Sequence, residues 1–424
     1  MASSHLLRVS YSRDMCVAPD GVEKTMDALL GLRQAFPALD AGLGFFDWAS
    51  TGLVPEPSLA AVHAYLRAAG ACAATDATWV HGHGAKVRSE IRRTLARWLR
   101  GNPRDIALVE NTTQGLNLAA QSTRLAPGDN VILSELDYLA VHMPWRQRAR
   151  KDKLELRIVP HSDGRLRAED LLERMDERTR VIAVSTIGWT TGELVNVDLL
   201  AREARQRGIL LVLDATQTFG LTGLQVHEHA PHFVACGGHK WLLGSSGLGF
   251  LWVHPETAAR QQPHLAGFLA GHPPQGSWPD WFASPQSRVD DEVLIPAVGQ
   301  SFESGGTANI AGSVLLHGNL QLLDAVGPEQ LLAHARSLGQ QLIAGLDAKG
   351  YAVRSPRDDK ARAGMVVFNA ESAEAEQRLV AALRGQRIAL SVRYTAGVGG
   401  VRASLHGANT ANDVARLLDA LPTR

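Results

Sequence analysis

Two side chains in the stretch 209–252, ILLVLDATQTFGLTGLQVHEHAPHFVACGGHKWLLGSSGLGFLW, are suited to chemistry as a pair: the carboxylate of Asp214 and the amine of Lys240. Asp214 closes the apolar run 209–213. Lys240 closes Gly237-Gly238-His239 ahead of a second apolar run. Both runs read as buried strands of a parallel sheet, and in open α/β sheets ligands gather off the carboxyl ends of the strands. A lysine amine condenses with a carbonyl to a Schiff base, and a fixed carboxylate keeps a pyridine nitrogen protonated so that the ring draws electrons. A pair delivered to one sheet edge suits pyridoxal phosphate (PLP). Burial and a neighbouring cation lower a lysine pKa, which lets the released amine act as a base. Singly, the Asp reads as a helix cap and the Lys as a solvated cation; the combination carries the reading.

Upstream, DIALVENTTQGLNLAAQS (105–122) joins a strand, 106–109, to a helix beginning at 114–121. Free N–H groups at a helix N-terminus bind phosphate, and the hydroxyls of Thr112 and Thr113 add donors. Plain capping by either Thr is the blander alternative.

LDATQ followed by GGHKWLLGSSGLGFLWV resembles the Asp-x-x-Gln, Ser-x-His-Lys and Gly-rich turn of the fold-type I PLP enzymes of aminotransferase class V. That family includes cysteine desulfurases, kynureninase and isopenicillin N epimerase. The likeness runs over about residues 45–420: NTTQGLN is similar to NATEGLN, SFESGGTANIAG to RFEAGTPNIAG, and VRASLHGANT to Arg-x-Ser-x-x-x-Tyr-Asn-Thr.

The resemblance implies roles for particular residues. Lys240 is the imine lysine, Asp214 pairs with the pyridinium nitrogen, and Gln217 bonds the phenolic oxygen of PLP. Thr112, Thr113 and adjacent N–H groups hold the phosphate, and His239 follows the family pattern. Gly237 stands where the family usually has a phosphate-binding Ser, so the grip falls to Thr113, His239, N–H groups and Thr216. Aligned on Pro144-Trp145, Tyr138 takes the position stacked on the ring, an aromatic face that holds its plane. Thr307 is the candidate to reach the phosphate of the other protomer, which makes the site the property of a homodimer. On the substrate side, Arg402 grips the α-carboxylate through its planar fork. Arg393 contacts a second substrate group, and Trp189, Ser50, His81 and His406 are further substrate contacts. Pro and Arg of the RFEAGTPNIAG pattern are replaced by Ala308 and Ser301, and Tyr of the last motif by Ala408.

The rest of the chain must position these groups. The 424 residues carry 43 Lys+Arg and 43 Asp+Glu, a balance that argues against nucleic acid or an anionic membrane as partner. No apolar run reaches the roughly 18–20 residues of a membrane span, and no secretory signal is read at the N-terminus. Cys16, Cys72 and Cys236 share no metal spacing, so no metal is expected. These features place the protein in the cytoplasm. Strands and helices alternate: helices 22–35, 57–69 and from 86 to 99, strand 131–133, helix 145–151, strand 154–159, helix 167–175 and strand 180–185. A helix capped by Asn196 or Asp198 then runs to Arg207. His81 and His83 fall in a Gly-rich loop before the helix at 86. Helices 309–324 and 328–347 lead to strands 351–354, 364–369, 388–392 and 400–405 with helices 372–384 and 410–420. The expected fold is α/β of fold-type I: a large domain (46–308) with a mainly parallel seven-stranded sheet, a smaller α+β C-terminal domain (309–424) and an N-terminal arm (1–45). The long segment 262–301 is either a lid or a partner contact.

The function expected is PLP-dependent chemistry at the Cα of an amino acid, as an aminotransferase or a C–S/β-lyase of specialised metabolism. A cysteine desulfurase is not expected. Desulfurases carry a loop cysteine between the last two strands, and YTAGVGG (394–400) has none; they also have an Asn where Trp189 stands. Tyr138, Trp189 and His406 lean toward the epimerase-like branch. Amino-acid epimerisation and a non-catalytic PLP-binding scaffold are the alternatives.

Overall fold

The computed structural model describes residues 21–72 and 78–424, so the expected arm before residue 21 and Cys16 lie outside the described residues. After helix Gly21–Gln34 comes the short strand β1 (Gly44–Phe45). The centre is a seven-stranded sheet built from β2 (Ile106–Val109), β3 (Asn130–Ser134), β4 (Glu155–Val159), β5 (Thr179–Ser185), β6 (Leu210–Asp214), β7 (Phe233–Gly237) and β8 (Gly249–Val253). Their order is β2-β8-β7-β6-β5-β3-β4. β3 to β7 run parallel, and β8 is antiparallel to both of its neighbours. β2 therefore points the same way as β3 to β7, and six carboxyl ends meet at one edge. β2, β3, β6, β7 and β8 are short, apolar and almost wholly buried, as strands covered on both faces must be. The edge strand β4 is half-exposed.

One strand differs from the sequence expectation. The apolar run after Lys240 does not continue as a parallel strand: Trp241, Leu242 and Leu243 form a buried turn, Leu243 with φ 65°, and the chain returns as antiparallel β8. Hydrophobic content reports burial, not strand direction.

The helices bear out the spacing in most places, with shifted ends. Asn196, not Asp198, caps Val197–Gln206, its Oδ1 accepting from Leu199 N at 3.1 Å. The helix expected at 145–151 runs from Leu139 to Asp152 and accommodates Pro144 in its second turn. The larger departure is the predicted loop at 81–83. Helix Thr78–Leu99 is continuous through Gly82 and Gly84. Gly84 is there for close approach: a Cβ on it would lie 2.8 Å from Ile310 Cδ1.

The C-terminal region has a four-stranded antiparallel sheet, β12-β13-β10-β9, from β9 (Ala352–Val353), β10 (Met365–Asn369), β12 (Ser391–Thr395) and β13 (Val398–Ser404). The short strand β11 (Ile388–Ala389) pairs in parallel with β1 instead. Asp47 bridges to Ser404, and Trp48 Nε1 donates to Asn409 Oδ1 at 2.9 Å. Segment 44–50 is thus stitched to the C-terminal region. Helix Ile310–Val326 packs on helices Glu56–Cys72 and Thr78–Leu99. No helix among the described residues is long and apolar enough to cross a membrane.

Candidate active site

At the edge where the carboxyl ends meet there is a cavity of about 290 Å³. Each wall comes from a different strand end. Asn111, Thr112 and Thr113 follow β2, Tyr138 follows β3, and Ser185 and Trp189 come from the end of β5. Asp214, Thr216 and Gln217 close β6, and His239 and Lys240 follow β7. Ser50, Arg393 and Arg402 complete the rim from the stitched segment and from β12 and β13.

Lys240 faces this cavity. Desolvation pushes its amine down to about 8, with the carboxylate of Asp214 opposing the shift and Arg402 and Arg393 adding to it. Its Nζ lies 5.5 Å from the centroid of the Tyr138 ring. Asp214 is buried, and burial raises its pKa against the hydrogen bond it accepts from Thr216 N at 2.9 Å. A cationic group beside it would reverse that cost. Tyr138 meets Trp189 edge to face at 5.3 Å, and Trp189 Nε1 is tied to Leu136 O at 3.1 Å.

The first turn of helix Thr112–Ser122 faces the same space. Asn111, rather than either Thr, is its cap: Oδ1 accepts from Gln114 N at 2.9 Å. The two threonines therefore lie inside the first turn, where N–H groups have no intrahelical partner. The Oγ1 atoms of Thr112 and Thr216 are 2.6 Å apart. A side chain at Gly237 would be tightly pressed, since a Cβ there would stand 3.0 Å from Thr112 Oγ1 and 3.0 Å from His239 Nδ1. Hydroxyls and an imidazole occupy the place expected of a serine. Burial lowers the pKa of His239, with Lys240 adding to the effect, so the ring is neutral near pH 7. Gln217 is fixed at both ends of its amide, Nε2 donating to Ala49 O at 3.2 Å and Oε1 accepting from Trp241 Nε1 at 2.6 Å. Its second Nε2 hydrogen remains for a ligand.

Opposite this half, Arg402 is buried, and burial draws its pKa down to about 10 with Asp47 opposing. It donates to Trp189 O at 2.9 Å and to Ser50 Oγ at 2.7 Å, and stands 3.6 Å from Asp47 Oδ1. Arg393 reaches the same Ser50 oxygen at 3.0 Å. Arg402 Nε is buried without a hydrogen-bond partner among the described residues. Such a donor is costly unless a ligand completes it.

Three expected site residues fall outside the cavity. His81 is exposed on the helix, one turn before the buried Gly84. His406 is fully buried, stacked on Trp48 at 4.6 Å, and burial pushes it down to about 4, so it is a neutral packing residue rather than a substrate contact. Thr307 is exposed in a bend and does not line the cavity of its own chain. Phe268, Trp278, Trp281 and Phe282 of the long segment pack on one another, with centroids 4.9 to 6.0 Å apart for the pairs in contact, and none lines the cavity.

Two carboxylates that sequence reasoning missed support the site. Asp47 Oδ1 accepts from both Ser50 Oγ and Ser391 Oγ at 2.7 Å. Asp137, next to Tyr138 in the chain, is buried and accepts from Ser185 N at 2.8 Å; burial pushes it up to about 7. Only its place beside Tyr138 could have drawn attention to it.

The residues fit PLP on these observations. An amine of lowered pKa and a buried carboxylate stand at neighbouring strand ends. A helix N-terminus with two hydroxyls is placed for a phosphate, and an orphaned arginine Nε for a carboxylate. Among the described residues no cluster of His, Cys, Asp and Glu could hold a metal ion.

Comparison with known proteins agrees. The family profile described as aminotransferase class-V matches residues 44–417. Isopenicillin N epimerase of Streptomyces clavuligerus is 32% identical over 288 residues, 66% of this chain and 69% of that protein. A probable cysteine desulfurase of Pseudomonas aeruginosa is 29% identical over 92% of this chain and 96% of its own. Among solved structures, the apo cysteine desulfurase of Thermococcus onnurineus NA1 superposes with a TM-score of 0.79 at 24% identity, covering 92% of this chain and 96% of that one.

Proposed function

The chain belongs to the aminotransferase class-V family of PLP-dependent enzymes, and from that premise we propose that it acts at the Cα of an amino acid, by amino-group transfer or by C–S/β-elimination, in specialised metabolism. The observation that carries the reading is the convergence of Lys240, Asp214 and Arg402 on one cavity. PLP supplies the electron sink on which such reactions depend. The protein's residues do the rest. Arg402 and Arg393 hold the substrate carboxylate side, and the orphaned Nε of Arg402 completes the fork. Lys240, with its amine near 8, takes and returns the proton at Cα. Asp214 holds the ring nitrogen, Gln217 the phenolic oxygen, and Tyr138 covers the ring face. Thr112, Thr113, Thr216 and His239 hold the phosphate. Thr307 reaches the site of a second copy, so the working unit is a homodimer.

Desulfurases among the relatives make persulfide chemistry the rival to weigh, and the β12–β13 connection speaks against it. Thr395 pairs with Val398, which leaves only Ala396 and Gly397, at φ 46° and 77°, to turn the chain. Two consecutive positive φ values make the tight hairpin turn that follows the twist of the strands. This turn carries no thiol, and Ala396 O is pinned by His161 Nε2 at 3.2 Å. Epimerisation is the second reading, favoured by the relative at 32% identity.

The test is absorbance of the purified holoenzyme during titration with a panel of amino acids, with product analysis. Loss of the visible band with a keto acid formed supports transfer. Ammonia and keto acid with the band retained support a lyase. Inverted or deuterium-exchanged amino acid supports an epimerase. A protein that binds PLP and leaves every amino acid unchanged overturns the proposal in favour of a scaffold.

A further inference from the structure

A second cavity, of about 500 Å³, opens at the opposite edge of the central sheet, away from Lys240. It lies where the amino end of β6 begins at Leu210 and where β7 and the reversed β8 meet the flanking residues His232 and His254. Four arginines line it, Arg124, Arg180, Arg205 and Arg260, against a single carboxylate, Glu256. Arg180 is 3.4 Å from Asp129, and Arg260 is 4.0 Å from Glu256. Arg124 and Arg205 make no ion pair among the described residues. The cavity thus holds two guanidinium charges that no carboxylate among the described residues pairs with.

The two histidines add donors of fixed orientation. His232 Nδ1 accepts from Leu211 N at 3.0 Å, and His254 Nδ1 accepts from Glu256 N at 3.2 Å. A ring nitrogen that accepts a backbone N–H carries no proton itself, so in each neutral imidazole the hydrogen is on Nε2. Burial pushes His232 down to about 4, with Arg205 and Arg260 adding to it, and burial lowers His254 against the opposing charge of Glu256. What these rings can offer a ligand is therefore Nε2–H. Arginine, too, has donors and no acceptor. A concave space walled by unbalanced guanidinium groups and oriented N–H donors is complementary to a group rich in acceptors and negative charge.

We propose that this cavity is a second binding site, separate from the PLP site, for a compact polyanion of at least two negative charges, such as a phosphorylated metabolite or a polycarboxylate. Arg124 and Arg205 are its principal charge contacts. Both are exposed, and neither touches the PLP cavity, so replacing them leaves the fold and the catalytic groups in place.

The experiment is isothermal titration calorimetry on PLP-saturated protein at constant ionic strength, with pyrophosphate and citrate as probes and acetate as the monovalent control. The expected result is saturable binding of one or both polyanions at one site per chain, with acetate at least about tenfold weaker. In an Arg124→Ala/Arg205→Ala double variant the affinity should fall at least about tenfold while the visible PLP band is unchanged. Pyrophosphate binding alone would identify a phosphate site, and binding of both a general polyanion site. Binding that survives in the double variant, binding that acetate matches, or no saturable heat with either polyanion overturns the proposal. An Arg402→Lys variant that keeps its pyrophosphate affinity shows that the heat does not come from the catalytic cavity.

Discussion

The Oγ1 atoms of Thr112 and Thr216 stand 2.6 Å apart, one at the start of the helix after β2 and the other just beyond Asp214. The contact joins two strand ends that are not neighbours in the sheet. It also fills the region toward which a side chain at Gly237 would project, because a Cβ there would lie 3.0 Å from Thr112 Oγ1. The hydroxyl pair and Gly237 are thus two halves of one arrangement.

That arrangement has a measurable consequence. Gly237→Ser, which restores the residue usual in the family, should weaken PLP retention, because Thr112 and His239 must both give way. Overpacking of this kind costs roughly 1–3 kcal/mol, or about five- to 150-fold in the PLP dissociation constant. Thr216→Ala should weaken it by a smaller factor through loss of the hydroxyl partner. Titration of cofactor-free protein with PLP, followed at the visible band, measures both. Tighter binding by the Gly237→Ser protein would contradict the arrangement.

Much of this was legible in the sequence, and the exceptions have physical causes. Strands covered on both faces, such as β6 and β7, are nearly uniform apolar runs, and the polar residues that end them mark the functional edge. The direction of β8 was not legible, because an apolar run buries equally well either way. Gly82 and Gly84 make His81 read as a loop residue, whereas it lies on a helix that Gly84 lets pack against Ile310. His406 lies close in sequence to Arg402, but the chain has left β13 by then and the ring turns in against Trp48. Asp47 and Asp137 carry no spacing signal; they matter because the fold brings Ser50, Ser391 and Ser185 to them.

Lys240 should control cofactor capture through its lowered pKa. The unprotonated amine is the reactive form, so the rate at which cofactor-free protein regains the visible band should rise with pH and level off above about 8. An ordinary lysine would keep rising toward 10.4. Lys240→Ala should lose the band and, where the wild type turns over a substrate, at least about 10²–10⁴ of the rate. Stopped-flow absorbance between pH 6.5 and 9.5 gives the profile, and a slope that persists beyond pH 9 would contradict the assignment.

Arg402→Lys should separate binding from chemistry. A lysine keeps the charge but loses the planar fork that meets a carboxylate through two N–H groups. The expected loss is on the order of 2 kcal/mol, about thirtyfold, and should appear mainly in KM. Ser50→Ala, which removes the oxygen shared by Arg393 and Arg402, should do the same to a lesser degree. Steady-state kinetics on the best substrate of the panel decides, and a change in kcat alone would place Arg402 elsewhere in the reaction.

Asp137 should make stability depend on pH. Its carboxyl is raised from 3.8 to about 7 by burial, so the folded protein holds a proton that the unfolded chain has released. The stability tied to that proton is full below about pH 4 and is lost as pH rises toward 7, at up to about 1.4 kcal/mol per pH unit. Asp137→Asn removes the titration, and its Oδ1 can still accept from Ser185 N. The variant should match the wild type near pH 4 and exceed it progressively up to pH 7, with a constant difference above that. Urea midpoints of the PLP-loaded proteins at pH 4.5, 6 and 8 test this, and parallel curves would show that Asp137 is ionised throughout.

Cysteine chemistry provides the last test. Cys236 is buried in β7, and burial pushes its thiol well above the ordinary range, so it is neither a thiolate nor accessible to a substrate. The hairpin at Ala396-Gly397 offers no thiol and, pinned by His161, little freedom to move one. A variant with Cys16, Cys72 and Cys236 all replaced by alanine should therefore keep its activity toward the best amino acid within about twofold, and any slight instability from the buried Cys236→Ala change should appear in thermal unfolding instead. With cysteine as substrate, no persulfide should form on the wild-type protein, as intact mass shows directly. A protein-bound persulfide, abolished in one of the three single variants, would overturn the distinction from the desulfurase relatives and make that cysteine the acceptor.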